Sequence, residues 1–127
     1  MKIALTGVSG FIGNNLIKIL LKKKNIEILN LYRKKKFIHK KVKNIKFDFH
    51  NLNSNFYKKL KNTDILIHLA WDNLDDHNSK KHIRTYKKNL IFLRKIISQK
   101  IKNIFIMRTC FEYGKKKEGL LKENYNT

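Results

Sequence analysis

The stretch Thr6-Gly7-Val8-Ser9-Gly10-Phe11-Ile12-Gly13 combines residue types and spacing that specify a chemistry. It stands where an apolar run, Lys2 to Thr6, gives way to a helical pattern, and glycines at such a junction build a turn that receives phosphates. Gly7 permits a sharp turn, Gly10 leaves room for backbone to approach a pyrophosphate, and Gly13 lets the helix pack closely on the strand. The helix N-terminus, opening at Phe11 and Ile12, then offers free N–H groups to phosphate oxygens.

About 20 positions beyond such glycines, at the end of the second strand, a Rossmann-type site meets the adenosine ribose. Here that neighbourhood is Tyr32-Arg33-Lys34. An acidic side chain would hold the 2′-hydroxyl of NAD, whereas Arg33 suits the 2′-phosphate of NADP, so NADP(H) is expected slightly ahead of NAD(H). The margin is small because cations are common throughout this chain.

The elements that must position these residues follow from the hydrophobic period. Lys2 to Thr6 reads as a buried parallel strand. Phe11, Ile12, Leu16, Ile19 and Leu20 recur at helical spacing until Lys22-Lys23-Lys24, where cations suit the negative end of the helix dipole. Strands are expected at Ile26 to Leu31, around Ile45 to Phe49, at Asp64 to Ala70 and at Asn103 to Arg108. A brief helix is expected from about Asn55 to Lys61. Between Ser79 and Lys100, Ile83, Tyr86, Leu90, Leu93 and Ile97 step by three and four, which predicts an amphipathic crossover helix. The alternation implies an α/β fold: a Rossmann-type, doubly wound parallel sheet in three layers, α/β/α, with its ligand beyond the carboxyl ends of the strands.

Composition bounds the partners. A chain of 127 residues buries one modest core, so residues 1–127 are expected to be a single, incomplete domain. The net charge of +21, from 30 Lys+Arg against 9 Asp+Glu, favours any polyanion. The lysines, however, are spread along nearly the whole chain with many Asn and Ile, a compositional drift rather than a patch. The densest run, Lys34 to Lys46, carries no zinc-finger, helix-turn-helix or RNA-recognition signature, so no specific nucleic acid is expected. Cys110 is the sole cysteine, which leaves no internal disulfide. No apolar stretch approaches a membrane span, and a cytoplasmic protein with no membrane partner is expected. Asp72, Asp75, Asp76 and His77 read as an exposed acidic loop and not as a metal site.

With the glycine turn in place, essentially the whole chain resembles the extended short-chain dehydrogenase/reductases, the NAD-dependent epimerase/dehydratase family. Asp48-Phe49 is similar to the pair that meets the adenine ring, with Asp48 accepting from its amino group. Asp64 to Ala70 resembles the family's D-x-x-x-H-L-A segment, whose Leu69-Ala70 backbone passes beneath the pyrophosphate and ribose; the resemblance makes His68 structural. Asn89 matches the helix asparagine that positions backbone near the active site. Thr109-Cys110-Phe111-Glu112-Tyr113-Gly114 looks like the S-S/T-x-x-x-Y-G stretch, which puts Thr109 at the catalytic hydroxyl. A hydroxyl there donates to the substrate oxygen as hydride moves at the adjacent carbon. Arg108 and Trp71 stand where the family commonly has small residues. The spellings at Leu69-Ala70-Trp71 and Thr109 to Gly114 are most like reductases of dTDP- or CDP-linked 4-keto-6-deoxy sugars, as used in cell-surface polysaccharide synthesis. Epimerases and dehydratases of the family share all of these residues.

The family's Tyr-x-x-x-Lys proton donor lies on a helix beyond this region. Tyr32 to Lys36, Tyr57 to Lys61 and Tyr113 to Lys117 spell it, but in the wrong elements. The 127 residues alone are therefore expected to bind cofactor weakly and to catalyse nothing, as a truncated product, a split gene or an excised fragment would. A noncatalytic Rossmann remnant is the alternative. In full-length form, the resemblance implies a nucleotide-sugar substrate and a homodimer.

Overall fold

The computed structural model describes residues 1–48, 52–71 and 80–107. Its elements, in chain order, are β1 (Lys2–Thr6), α1 (Phe11–Leu21), β2 (Glu27–Tyr32), β3 (Val42–Lys46), α2 (Ser54–Lys59), β4 (Ile65–His68), α3 (Lys80–Ile97) and β5 (Asn103–Ile106). The five strands form one parallel sheet in the order β3-β2-β1-β4-β5. This is the expected Rossmann-type arrangement: the strand order reverses between β1 and β4, where the crevice of an open α/β sheet receives its ligand.

Alternating side chains divide the core. Ile3, Leu5, Val8, Ile17, Ile28 and Val42 pack on the α1 face. Ala4, Leu29, Leu31, Ile45 and Leu66 pack on the other face against Phe56, Tyr57 and Leu60 around α2 and Phe92 and Ile96 of α3. The aromatic rings there interlock, with Phe47 and Phe92 centroids 5.0 Å apart at an interplanar angle of 60°. Asn53 starts α2 by accepting from the Phe56 N–H at 3.0 Å, supplying one of the partners that a helix N-terminus lacks.

Four expectations need correction. The third strand runs Val42–Lys46, three residues ahead of Ile45 to Phe49. Val42 and Ile45 are buried while Lys43 and Lys46 face solvent, an arrangement that suits an edge strand. β4 stops at His68 rather than Ala70, because the next two N–H groups leave the ladder for the Thr6 hydroxyl.

Both longer helices are rotated from their apolar lines. Among the described side chains of α3 the buried ones are Thr85, Asn89, Phe92 and Ile96, whereas Ile83, Tyr86 and Ile97 are more than half exposed. The period is right but the line lies one position away, about 100° around the helix. In α1 the buried residues are Gly13 and Ile17; Phe11 is 86% exposed and Ile12 and Ile19 also face solvent. Gly13 fixes that rotation, since it must lie against the preceding turn.

Candidate functional site

Because every strand is parallel, the segments leaving β1, β2, β3 and β4 emerge on one edge of the sheet. Gly7 to Gly10, Arg33, Asp48 and Leu69-Ala70-Trp71 are thereby brought to the same edge, as expected of a dinucleotide site. Phe49 and Thr109 lie outside the described residues, as do Asp72, Asp75, Asp76, His77, Arg108 and Cys110.

The glycine turn is built by close approach. Gly7 has φ +74° and its carbonyl accepts from the Gly10 N–H at 3.0 Å. A Cβ on Gly7 would meet the Leu69 and Ala70 backbone at 2.8–2.9 Å, and one on Gly13 would lie 2.2 Å from the Gly7 carbonyl oxygen. Both positions exclude a side chain for reasons internal to the fold. Gly10 differs: its backbone is ordinary, φ −80° and ψ 169°, and a Cβ would meet only the Gly7 oxygen, at 3.3 Å. Gly10 is exposed at the start of α1, where no side chain caps the helix N-terminus. The missing Cβ at Gly10 thus clears space outside the protein, over a helix end whose N–H groups favour an anion. This cradle fits a pyrophosphate.

Beneath it runs a buried polar chain that ties β1 to β4 and α3. The Thr6 hydroxyl oxygen accepts from the Leu69 and Ala70 N–H groups, both at 3.1 Å. With both lone pairs committed, its proton is donated to His68 Nδ1, 2.9 Å away. His68 is therefore the neutral tautomer protonated at Nε2, which donates to Asn89 Oδ1 at 2.9 Å. Burial lowers the His68 pKa below its usual value, and the bond to Asn89 opposes that shift in part. Thr6, His68 and Asn89 are 0%, 1% and 2% exposed. Asn89 thus reaches the cradle through His68 and Thr6, while its Nδ2 has no hydrogen-bond partner among the described residues.

Sequence reading took Leu69 and Ala70 as contacts but missed Thr6 as the atom that holds them. The available signal was a polar residue at the end of each of two otherwise apolar strands, Thr6 and His68, which are paired in register. Also missed were Asn30 and Asn44, whose amides bond at 2.8 Å between β2 and β3. Among the described residues no group of His, Cys, Asp and Glu is arranged to hold a metal ion, and no helix is long and apolar enough to cross a membrane.

The model of the NAD dependent epimerase/dehydratase family matches residues 3–127. The chain belongs to this family. A curated family relative, the dTDP-6-deoxy-L-talose 4-dehydrogenase (NAD(+)) of Aggregatibacter actinomycetemcomitans, is 28% identical over 118 residues, covering 90% of this chain and 43% of the relative. Among solved structures, UDP-glucuronic acid 4-epimerase from Bacillus cereus, in complex with UDP-glucuronic acid and NAD, superposes with a TM-score of 0.79 at 24% identity. That match covers 99% of this chain and 45% of the epimerase. The UDP-N-acetylglucosamine 4-epimerase from Methanobrevibacter ruminantium M1 gives a TM-score of 0.76 at 23% identity, covering 98% and 43%. These structures share the Rossmann-type fold, and the chain spans less than half the length of each of these relatives.

Proposed function

We propose that this epimerase/dehydratase-family chain is the nucleotide-binding part of an NAD(P)-dependent oxidoreductase that acts on a nucleotide-linked sugar, with NADP(H) favoured slightly over NAD(H). The observation that carries the reading is the contrast among three glycines: Gly7 and Gly13 are required by backbone contacts under 3 Å, whereas a Cβ at Gly10 would make a single tight contact, 3.3 Å from the Gly7 oxygen, and Gly10 opens onto the N-terminus of α1. The pyrophosphate is assigned to that cradle, bounded by Gly7, Gly10, Phe11, Ile12 and Gly13, with the Leu69-Ala70-Trp71 backbone beneath it. Asp48 and Phe49 are assigned to the adenine and Arg33 to the ribose end.

When bound, the nicotinamide would supply or accept a hydride. The Thr109 hydroxyl is assigned to hydrogen-bond the sugar oxygen at the reacting carbon, where a donor stabilises developing charge. The assigned reaction is reduction of a dTDP- or CDP-linked 4-keto-6-deoxy sugar in cell-surface polysaccharide synthesis; what supports it is a relative named for dehydrogenation of a dTDP-linked 6-deoxy sugar at C4. The whole protein is placed in the cytoplasm as a homodimer.

The test is turnover of dTDP- and CDP-4-keto-6-deoxy sugars by a form that extends past Thr127, followed by nicotinamide absorbance. Reduction with NADPH supports the reading. Failure of both NADPH and NADH to bind that form would overturn it. In an active form, Thr109→Ala is expected to lower kcat by about 100-fold or more.

A further inference from the structure

A hydroxyl oxygen has two lone pairs and one proton, and in Thr6 all of them are in use. The lone pairs hold the Leu69 and Ala70 N–H groups, and the proton goes to His68 Nδ1. The arrangement is complete for one form of His68, the neutral ring that keeps its proton on Nε2 and donates it to Asn89. A second ring proton, on Nδ1, would turn the acceptor that faces Thr6 into a charged donor. The Thr6 oxygen would then meet three N–H groups with two lone pairs, and its own proton would have no acceptor. A charged donor makes the stronger hydrogen bond, so a backbone N–H of Leu69 or Ala70 is the partner released.

That backbone is the wall of the glycine turn. It lies so close to Gly7 that a Cβ there would meet it at 2.8–2.9 Å. The β1–β4 pairing ends at Thr6 and His68, and the Thr6 hydroxyl holds the two N–H groups beyond the end of the ladder.

No neighbouring charge offsets an added proton. The groups packed on the ring are the Thr6 hydroxyl from β1 and, from α3, the Asn89 amide and the Phe92 ring, whose centroid is 5.2 Å away. Ile106 stands opposite His68 on β5. None of these is ionisable, and His68 is 1% exposed, so water does not solvate the charge. Burial, opposed in part by the Asn89 bond, keeps the His68 pKa below its usual value.

Resting on the dinucleotide reading above, we infer that His68 is a proton-operated latch on the cofactor site: the neutral ring holds Leu69-Ala70 against the glycine turn through Thr6, and protonation frees that segment and lowers affinity for the dinucleotide. His68 is a positioning residue, acting on the cofactor through Thr6 and not by contact. Linkage makes the effect reciprocal, so a bound dinucleotide makes His68 harder to protonate.

The experiment is a heteronuclear NMR titration of the isotopically labelled protein, free and saturated with NAD+ or NADP+, whichever binds more tightly, together with the affinity for that ligand from neutral pH downward. At neutral pH, Nδ1 should read as an acceptor and Nε2 as an N–H. The His68 pKa should be lower in the saturated protein than in the free protein. Affinity should be level near neutral pH and fall as pH drops below the His68 pKa of the free protein, by at most about tenfold per pH unit, since one proton is involved. The whole loss should be about fivefold or more. His68→Gln, which cannot take the proton, and Thr6→Val, which cannot pass its effect on, should both lack this fall, while Thr6→Ser keeps it. Comparison on one ligand cancels the titration of the ligand's own phosphates, and affinities are read only where circular dichroism shows the folded protein.

A proton on Nδ1 at neutral pH, an equal His68 pKa in free and saturated protein, or parallel affinity profiles for wild type and His68→Gln overturns the latch while leaving the dinucleotide reading intact. Absence of binding by both NAD+ and NADP+ at neutral pH overturns both.

Discussion

Replacing Thr6 by Val keeps the shape of a buried side chain and removes a single hydroxyl. That hydroxyl satisfies three groups: the N–H of Leu69, the N–H of Ala70 and Nδ1 of His68. A buried polar group deprived of its partner costs about 1–3 kcal/mol. The three do not contribute equally, since Leu69 and Ala70 are half-buried and water can meet part of their demand, whereas His68 is buried. A total of about 2–4 kcal/mol is expected, a large part of the roughly 5–15 kcal/mol that holds a typical domain folded. Urea denaturation should show a lower midpoint at an unchanged slope. Because Leu69-Ala70 rests directly against Gly7, the same change should weaken NADPH binding measured by fluorescence. Thr6→Ser keeps the hydroxyl and loses one buried methyl, so it should cost only about 1 kcal/mol. If Thr6→Val matches the wild-type protein in both measurements, or if Thr6→Ser is as damaged as Thr6→Val, the hydroxyl does not hold this segment.

His68 gives a pH dependence with a defined sign. Its folded pKa is lowered mainly by burial, so between that value and the unfolded value of about 6.5 the unfolded chain binds more protons. Its contribution to stability is complete above about pH 6.5 and is lost as pH falls through the folded pKa. Urea midpoints across this range should fall more steeply for the wild-type protein than for His68→Gln, and parallel curves would remove His68 from the account. Gly13→Ala places a Cβ 2.2 Å from a backbone oxygen and should destabilise by about 1–3 kcal/mol or prevent folding, as read by the loss of a cooperative unfolding transition.

Much of the fold was legible because parallel strands and helices leave different periods. Lys2 to Thr6 and the α1 start at Phe11 were placed correctly by a buried apolar run and a glycine turn. Phase was harder than period. In α3 the burial of Thr85 and Asn89 turns the helix away from Ile83 and Tyr86, and single-sequence hydropathy assigns a buried Asn to the wrong side. The Asn89 side chain is inside because His68 meets it there, a partner 21 residues away.

The geometry of the candidate site was legible in part, where it is local. Gly7, Gly10 and Gly13 lie within one local turn, so their spacing carries the geometry. Thr6, His68 and Asn89 are joined only when β1, β4 and α3 come together, and Asn44 finds Phe37 only when β3 pairs with β2. Nothing in the local sequence distinguishes these asparagines from the many others.

The central claim, that the Gly7-to-Gly13 turn is a pyrophosphate cradle, is tested most directly by comparing the wild-type protein with Gly10→Ala. The added Cβ meets only the Gly7 oxygen, at 3.3 Å, a tight contact that a shift of a few tenths of an ångström relieves, on an ordinary backbone, so the unfolding free energy from urea denaturation should stay within about 1 kcal/mol of wild type. NADPH affinity should nevertheless fall by about tenfold or more, because the methyl occupies space that the phosphates need. Unchanged NADPH affinity in Gly10→Ala would contradict the account.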